Sequence, residues 1–180
     1  MNVIHRGFKA RLSRRELDTC EVLRKYPHHN IAAYHGVECA TKLTYMPHDK
    51  MMEARFDTER VTKLIFTRYD HNLWDLATRS QMVRVDVVQC LSSIEAGIRR
   101  LHSLGIVHCD IKLDNLFVKR MVSQGNRVYF LYVVGDFDSC HRVDERLRLK
   151  IGDVNWTKVK PEGSEAEKDD DWYAFGKLKV

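Results

Sequence analysis

The stretch that most limits how this chain can fold runs from residue 85 to residue 138. Val87, Leu91, Ile94, Ile98 and Leu101 recur at helical spacing, so a helix with one buried stripe is expected between Val85 and Leu104. Gly105 follows directly and is placed to end that helix in a left-handed cap. The polar segment "VHCDIKLDNLFV" comes next, at residues 107 to 118, and "VYFLYVVGDFDSC" follows at 128 to 140. The two apolar runs, joined through Ser123, Gln124, Gly125 and Asn126, predict a β-hairpin that carries a polar cluster at each end. Helix, polar turn and hairpin in that order predict a mixed α+β domain.

Upstream, "ELDTCEVLRKY" (16 to 26) places Leu17, Cys20 and Leu23 on one helical face, and Pro27 stops it. Strands are expected at 30 to 37 and 61 to 69, and the polar, Met-containing stretch from about Cys39 to Arg60 between them as a surface insertion. Near the end, the acidic run "EGSEAEKDDD" (162 to 171) is expected to be a solvated linker into "DWYAFGKLKV".

With 44% apolar and 31% charged residues, the 180-residue chain falls among ordinary globular proteins. Its charge of +5 favours acidic partners, yet the basic residues are scattered as Arg14-Arg15, Arg99-Arg100 and Arg146 to Lys150. A solvated basic surface is therefore expected, and no nucleic-acid partner. The five cysteines are an odd number and include no C-x-x-C pair, which points to neither a disulfide framework nor a zinc site. No apolar run reaches the roughly 20 residues that span a bilayer, so no membrane partner is expected, and an intracellular, soluble location fits the composition.

The polar segments supply what phosphoryl transfer requires: a base for the acceptor, hard oxygen ligands for magnesium, a cation near the transferring phosphate, and fixed geometry. Asp110 is the candidate base, and Lys112, two residues on, the candidate phosphate cation. Asn115 and Asp136 are the candidate metal ligands, the second returned to the first by the hairpin.

These residues carry a resemblance. "HCDIKLDN" resembles the catalytic loop H-R-D-x-K-x-x-N of the eukaryotic protein kinases, and "GDFDS" resembles their metal-binding D-F-G segment. The resemblance implies ATP and Mg2+ as cofactors, a protein substrate phosphorylated on Ser or Thr, Asp110 and Lys112 as catalytic residues, and Asn115 and Asp136 as magnesium ligands. It also implies that His108 and Phe137 pack beneath the site. Phe66 falls at the gatekeeper, Thr67 to Tyr69 at the adenine-binding hinge, and Phe117 under the adenine ring. The helix "ELDTCEVLRKY" is similar to the regulatory helix; the family's glutamate position falls on Thr19, and Glu16 is the stand-in one turn earlier. Asp171 falls at the aspartate that begins the family's anchoring helix. The implied fold is a two-lobed kinase-like α+β domain, partial over residues 1–180. Residues 1 to about 69 would form a curtailed small lobe and hinge, and 70–180 the front of a mostly helical large lobe.

Several positions depart from the family pattern. No G-x-G-x-x-G occurs, and the nearest lysine upstream of Glu16 is Lys9. Cys109 replaces the arginine that pairs with a phosphorylated activation loop, and Asp153 replaces the threonine that meets the catalytic lysine. Asp138 stands where D-F-G has glycine, which restricts the backbone and adds a carboxylate. Two other readings therefore stay open: a catalytically inactive pseudokinase that serves as a binding module, and a small-molecule phosphotransferase of the aminoglycoside or choline type, which carries D-x-D.

Overall fold

The computed structural model describes residues 3–7, 14–48, 51–78, 85–147, 155–161 and 163–179. Lys9 and Asp153 lie outside them. At the N-terminal end three antiparallel strands form one sheet: β1 (Val3–Gly7), β2 (Tyr34–His48) and β3 (Met51–Thr67), in the order β1-β3-β2. The register sets Ile4 opposite Phe66 and Val37 opposite Leu64. The expected surface insertion at residues 39 to 60 is instead the far part of the β2–β3 hairpin, paired from Cys39 opposite Val61 out to His48 opposite Met51. Pairing the two arms satisfies backbone donors and acceptors that a loop of this length would leave to water. Three register shifts, between Tyr34 and Gly36, Glu38 and Cys39, and Ala40 and Lys42, interrupt the ladder. An irregular ladder of this kind obscures strict alternation in the sequence.

The helix α1 (Arg14–Lys25) buries Cys20 and Leu23 in a core shared with Ile31, Tyr34 and Leu64. The strand expected from residue 30 begins only at Tyr34. Residues 30 to 32 are tied to a second sheet instead, because Asn30 donates from Nδ2 to the Tyr132 carbonyl at 2.9 Å and accepts the Val134 N–H at 2.9 Å.

That second sheet contains β4 (His71–Asn72), followed in the chain by the short helix α2 (Leu73–Thr78). The long helix α3 (Val87–Ser103) and the two-residue strand β5 (Ile106–Val107) come next, before the hairpin β6 (Leu116–Val122) and β7 (Val128–Val134). The sheet order is β4-β6-β7, and α3 lies on β7. Asp86 caps α3 by accepting the Gln89 N–H at 2.9 Å, and Gly105 leaves it with φ +70°, the left-handed exit its position suggests. Strand β5 pairs with β8 (His141–Arg142). The last helix, α4 (Lys168–Lys177), meets α3 through Trp172, whose ring is edge-on to His102 and lies under the Arg99 guanidinium.

The acidic run expected to be a linker is in part the start of α4. Glu167 and Asp170 form a reciprocal capping box, and Asp170 and Asp171 are buried. Carboxylates are stabilised at a helix N-terminus, and Lys160 adds ion pairs to Asp170 at 2.7 Å and Glu167 at 3.1 Å. Ile94, Ile98, Leu101, Leu116, Tyr132, Val134 and Phe137 belong to the same core cluster as Cys20 and Leu64, so one apolar interior underlies both sheets. Among the described residues no helix is long and apolar enough to cross a membrane.

Candidate active site

The chain leaves β5 in a tight bend in which Cys109 takes φ 64°. The left-handed region disfavours a side chain by about 1–2 kcal/mol, so the bend must be held from outside. It is held by Asp171 at the start of α4. The Asp171 carboxylate accepts the backbone N–H of His108 and that of Cys109, both at 2.9 Å, and lies 2.8 Å from Nε2 of His102.

His108 is fully buried and fixes the next two segments. Its Nδ1 accepts the Asp110 N–H at 3.3 Å, so its Nε2 carries the proton and donates to the Gly135 carbonyl at 2.9 Å. The turn holding Asp110 is thereby joined to the end of β7. Phe137 packs against the His108 ring, with centroids 6.0 Å apart, and against Phe66 at 6.3 Å. His108 and Phe137 thus pack against each other.

Beyond His108 the structure brings Asp110, Lys112 and Asn115 together. Lys112 Nζ lies 2.9 Å from Asp110 Oδ2. Asn115 donates from Nδ2 to the Asp110 carbonyl at 2.8 Å and to Asp110 Oδ2 at 3.0 Å. A 3-10 turn over Leu113–Asn115 makes this possible by folding the residue at position 115 back over position 110. The Asn115 carbonyl accepts the Gly135 N–H at 2.9 Å, so the residue before Asp136 is bonded to the same cluster. Asp136 itself takes φ 61°, ψ 78°, a left-handed conformation that aspartate tolerates better than most residues.

A cleft of about 370 Å3 opens beside this cluster, lined by Ala32, Phe66, Thr67, Tyr69 and Phe117 at one side and Asp70, His71, Asn72, Asp75 and Asp136 at the other. The candidate cofactor-binding residues Phe66, Thr67, Tyr69 and Phe117 are thus in one place with Asp136. The Tyr69 hydroxyl accepts the Ala33 N–H at 3.0 Å, and burial pushes its phenol up from the ordinary tyrosine value. Gly135 packs closely against two of the lining residues: a Cβ there would lie 2.8 Å from Phe117 Cε2 and 3.0 Å from Ala32 Cβ. Glu16 is buried on α1, which packs on the 3-10 turn Phe137–Ser139 that follows Asp136, and it is not among the residues that line the cleft.

Burial pushes the Cys109 and Cys140 thiols up, which keeps them protonated and disfavours nucleophilic chemistry by either. Asp138, in the glycine position, accepts the Ser139 hydroxyl at 3.0 Å.

No family model matches the chain. Two Schizosaccharomyces pombe proteins are similar to it: serine/threonine-protein kinase oca2, 30% identical over 34% of this chain, and serine/threonine-protein kinase ppk8, 30% identical over 62%. The Wee1-like protein kinase of Arabidopsis thaliana is 27% identical over 48%. The matched stretches amount to 10%, 21% and 16% of those proteins' lengths. A solved chain from the yeast RNA Pol II CTD kinase CTDK-1 complex superposes over 97% of this chain and 51% of its own, with a TM-score of 0.61 at 15% identity. The fold is protein kinase-like. Its mixed sheets and helices are a curtailed form of the protein kinase fold.

Five residues of this cleft were not singled out from the sequence: Ala32, Asp70, His71, Asn72 and Asp75. Asp70 accepts the Arg120 N–H at 2.7 Å, and Asn72 Oδ1 accepts the Asp75 N–H at 2.7 Å, which caps α2. An Asn three residues before the capped amide is a legible helix-start signal in "YDHNLWDL".

Proposed function

We propose that the chain carries an ATP- and Mg2+-dependent protein kinase site that transfers the γ-phosphoryl group to Ser or Thr of a protein substrate. Residues 1 to about 69 are read as the small lobe and hinge, and 70–180 as the front of the large lobe. The observation that carries this reading is the joining of Asp110, Lys112 and Asn115 in one cluster, bonded through Gly135 to Asp136 and so to the cleft. The kinase names of the similar proteins support it.

The donor set fits a magnesium ion. Both atoms facing the Asn115 amide from Asp110 are acceptors, so Nδ2 must turn to them, and Oδ1 is left on the other side for a cation. That amide oxygen and the Asp136 carboxylate are hard oxygen ligands of the kind magnesium takes. Bound there, the ion would offset phosphate charge. The apolar wall made by Ala32, Phe66 and Phe117 suits the flat face of a purine. In such a transfer Asp110 would take the proton of an acceptor hydroxyl as its oxygen bonds to the γ-phosphorus, while the bond from that phosphorus to the bridging oxygen breaks and ADP leaves. Lys112, held at Asp110, neutralises charge on the group in transfer.

A second reading, an inactive nucleotide-binding or partner-binding module, is favoured by one feature. The cleft lining among the described residues holds three carboxylates, Asp70, Asp75 and Asp136, and no lysine or arginine. One experiment separates the two. A thermal shift of the chain with ATP and Mg2+, followed by a transfer assay on a generic basic protein and on an aminoglycoside, should show binding and label on the protein. Asp110→Asn should abolish the label and keep the shift. Binding without any label supports the inactive module, and label on the aminoglycoside alone supports the small-molecule phosphotransferase.

A further inference from the structure

Two elements that flank the candidate site meet through a pair of basic side chains. Arg15, half-buried on the first turn of α1, directs its Nη1 to Nε2 of His141 on β8. His141 is 2% exposed, and its Nδ1 donates to the Ser139 carbonyl at 2.7 Å. A guanidinium has only donors, so Nε2 must be the lone-pair nitrogen and the ring must be neutral. The contact therefore exists in one protonation state of the imidazole. Protonation would turn Nε2 into a donor and set two cations face to face.

The surroundings offer the ring little compensation. The charged groups acting on it are Arg15 from α1 and Glu145 from the turn after β8, whose carboxylate already accepts the Arg142 N–H at 2.9 Å. Opposite it, β5 brings only Ile106 and Val107. The 3-10 turn brings the Ser139 carbonyl and Asp138, whose carboxylate accepts the Ser139 hydroxyl at 3.0 Å. Burial, the largest effect, holds the His141 imidazole below its ordinary value; the Ser139 hydrogen bond opposes it, Arg15 adds a smaller depression, and Glu145 opposes least.

We propose that Arg15 and His141 form a proton-sensitive latch that fixes α1 on the segment carrying Asp136, and that protonation of His141 opens it. The turn Phe137–Ser139 lies between Asp136 and His141, and α1 packs on that turn. Closing the latch thus ties α1 to the short path from Asp136 to β8 at two places, the turn and His141. Arg15 and His141 are positioning residues, and only the latch's effect on nucleotide binding rests on the kinase reading above.

The sign follows from the depressed value. Above the unfolded imidazole value, about 6.5, the ring is neutral in both states and the latch is closed. As pH falls from there through the lower folded value, the unfolded or unlatched chain takes up a proton that the latched ring resists, and the stabilisation is lost.

Amide hydrogen exchange on the nucleotide-free chain tests this, with rates normalised to intrinsic chemistry at about pH 7.5 and about pH 5.5, on either side of the free imidazole value. In the wild type, α1 should exchange several-fold faster at the lower pH while α3 keeps its protection. Arg15→Gln should exchange fast in α1 at both values, and His141→Gln should show the same flat profile. Arg15 is half-buried on a helix surface, so its substitution leaves the fold intact even if His141→Gln does not fold. A wild-type α1 with no pH step, an equal step in α3, or a wild-type step retained in Arg15→Gln overturns the latch. Because no nucleotide is present, failure of the transfer assay leaves this result standing, and failure here leaves the transfer assay standing. With Mg2+ and ATP added, binding should weaken several-fold across the same interval in wild type and not in Arg15→Gln.

Discussion

The carboxylate of Asp171 accepts the backbone N–H of Cys109 at 2.9 Å, although 62 residues of chain separate them. It also takes the His108 N–H at 2.9 Å and meets the His102 ring at 2.8 Å, in a place where its side chain has no solvent exposure. Each buried polar group left unpaired costs about 1–3 kcal/mol. Asp171→Ala, which strands two backbone amides beside a left-handed Cys109, should therefore lose about 3 kcal/mol or more. Asp171→Asn keeps one acceptor oxygen and should lose about half of that. Urea denaturation measures both, and a wild-type midpoint for Asp171→Ala would remove this carboxylate as the brace of the polar turn.

Gly135 is required by shape. A methyl group there would lie 2.8 Å from Phe117 Cε2 and 3.0 Å from Ala32 Cβ, both of which line the cleft. Gly135→Ala should push the Phe117 ring into the cleft, cost about 1–3 kcal/mol from overpacking, and weaken nucleotide binding. Gly125, where an added Cβ meets nothing within 4 Å, is the matched control and should be neutral. Adding Phe117→Leu to Gly135→Ala should recover part of the stability, measured as a double-mutant coupling. Additive losses would show that the two side chains do not compete for the same space.

How much of this was legible in the sequence depended on how local the cause was. Helix α3 could be read because its stripe and its Gly105 exit lie within one segment. The convergence of Asp110, Lys112 and Asn115 was legible for the same reason, since one short turn joins them. The hairpin over residues 39 to 60 was not, because its two arms stabilise each other and neither carries a strict alternation. Strand β1 gave no signal of its own and is placed by pairing with β3. The Arg15–His141 contact spans 126 residues, and no periodicity can show which distant side chain lies opposite another.

Gly97 sits mid-helix in α3, where alanine would ordinarily gain about 1 kcal/mol. Here a Cβ would come 2.7 Å from the Asn30 carbonyl oxygen and 2.9 Å from Val134 Cγ2. The carbonyl cannot swing aside without losing the Val134 N–H, which it accepts at 2.9 Å. Overpacking of about 1–3 kcal/mol should therefore outweigh the helical gain, and Gly97→Ala should lower the melting temperature. A stabilised variant would mean that α3 can move off β7 at little cost.

Asn115 offers the sharpest test of the metal assignment. Its Nδ2 donates to the Asp110 carbonyl at 2.8 Å and to Asp110 Oδ2 at 3.0 Å, and Asn115 and Asp110 are 4% and 2% exposed. Asn115→Asp keeps the shape and replaces the donor with a second carboxylate facing the first. Without metal, loss of the bonds and repulsion between buried carboxylates should cost about 2–4 kcal/mol. A divalent cation held by the introduced carboxylate and Asp136 would offset that repulsion. Magnesium alone should therefore raise the melting temperature of Asn115→Asp by more than it raises that of the wild type, while Asn115→Ala, which lacks the ligand, should show the smallest rise of the three. Equal magnesium shifts across all three proteins would place the ion elsewhere.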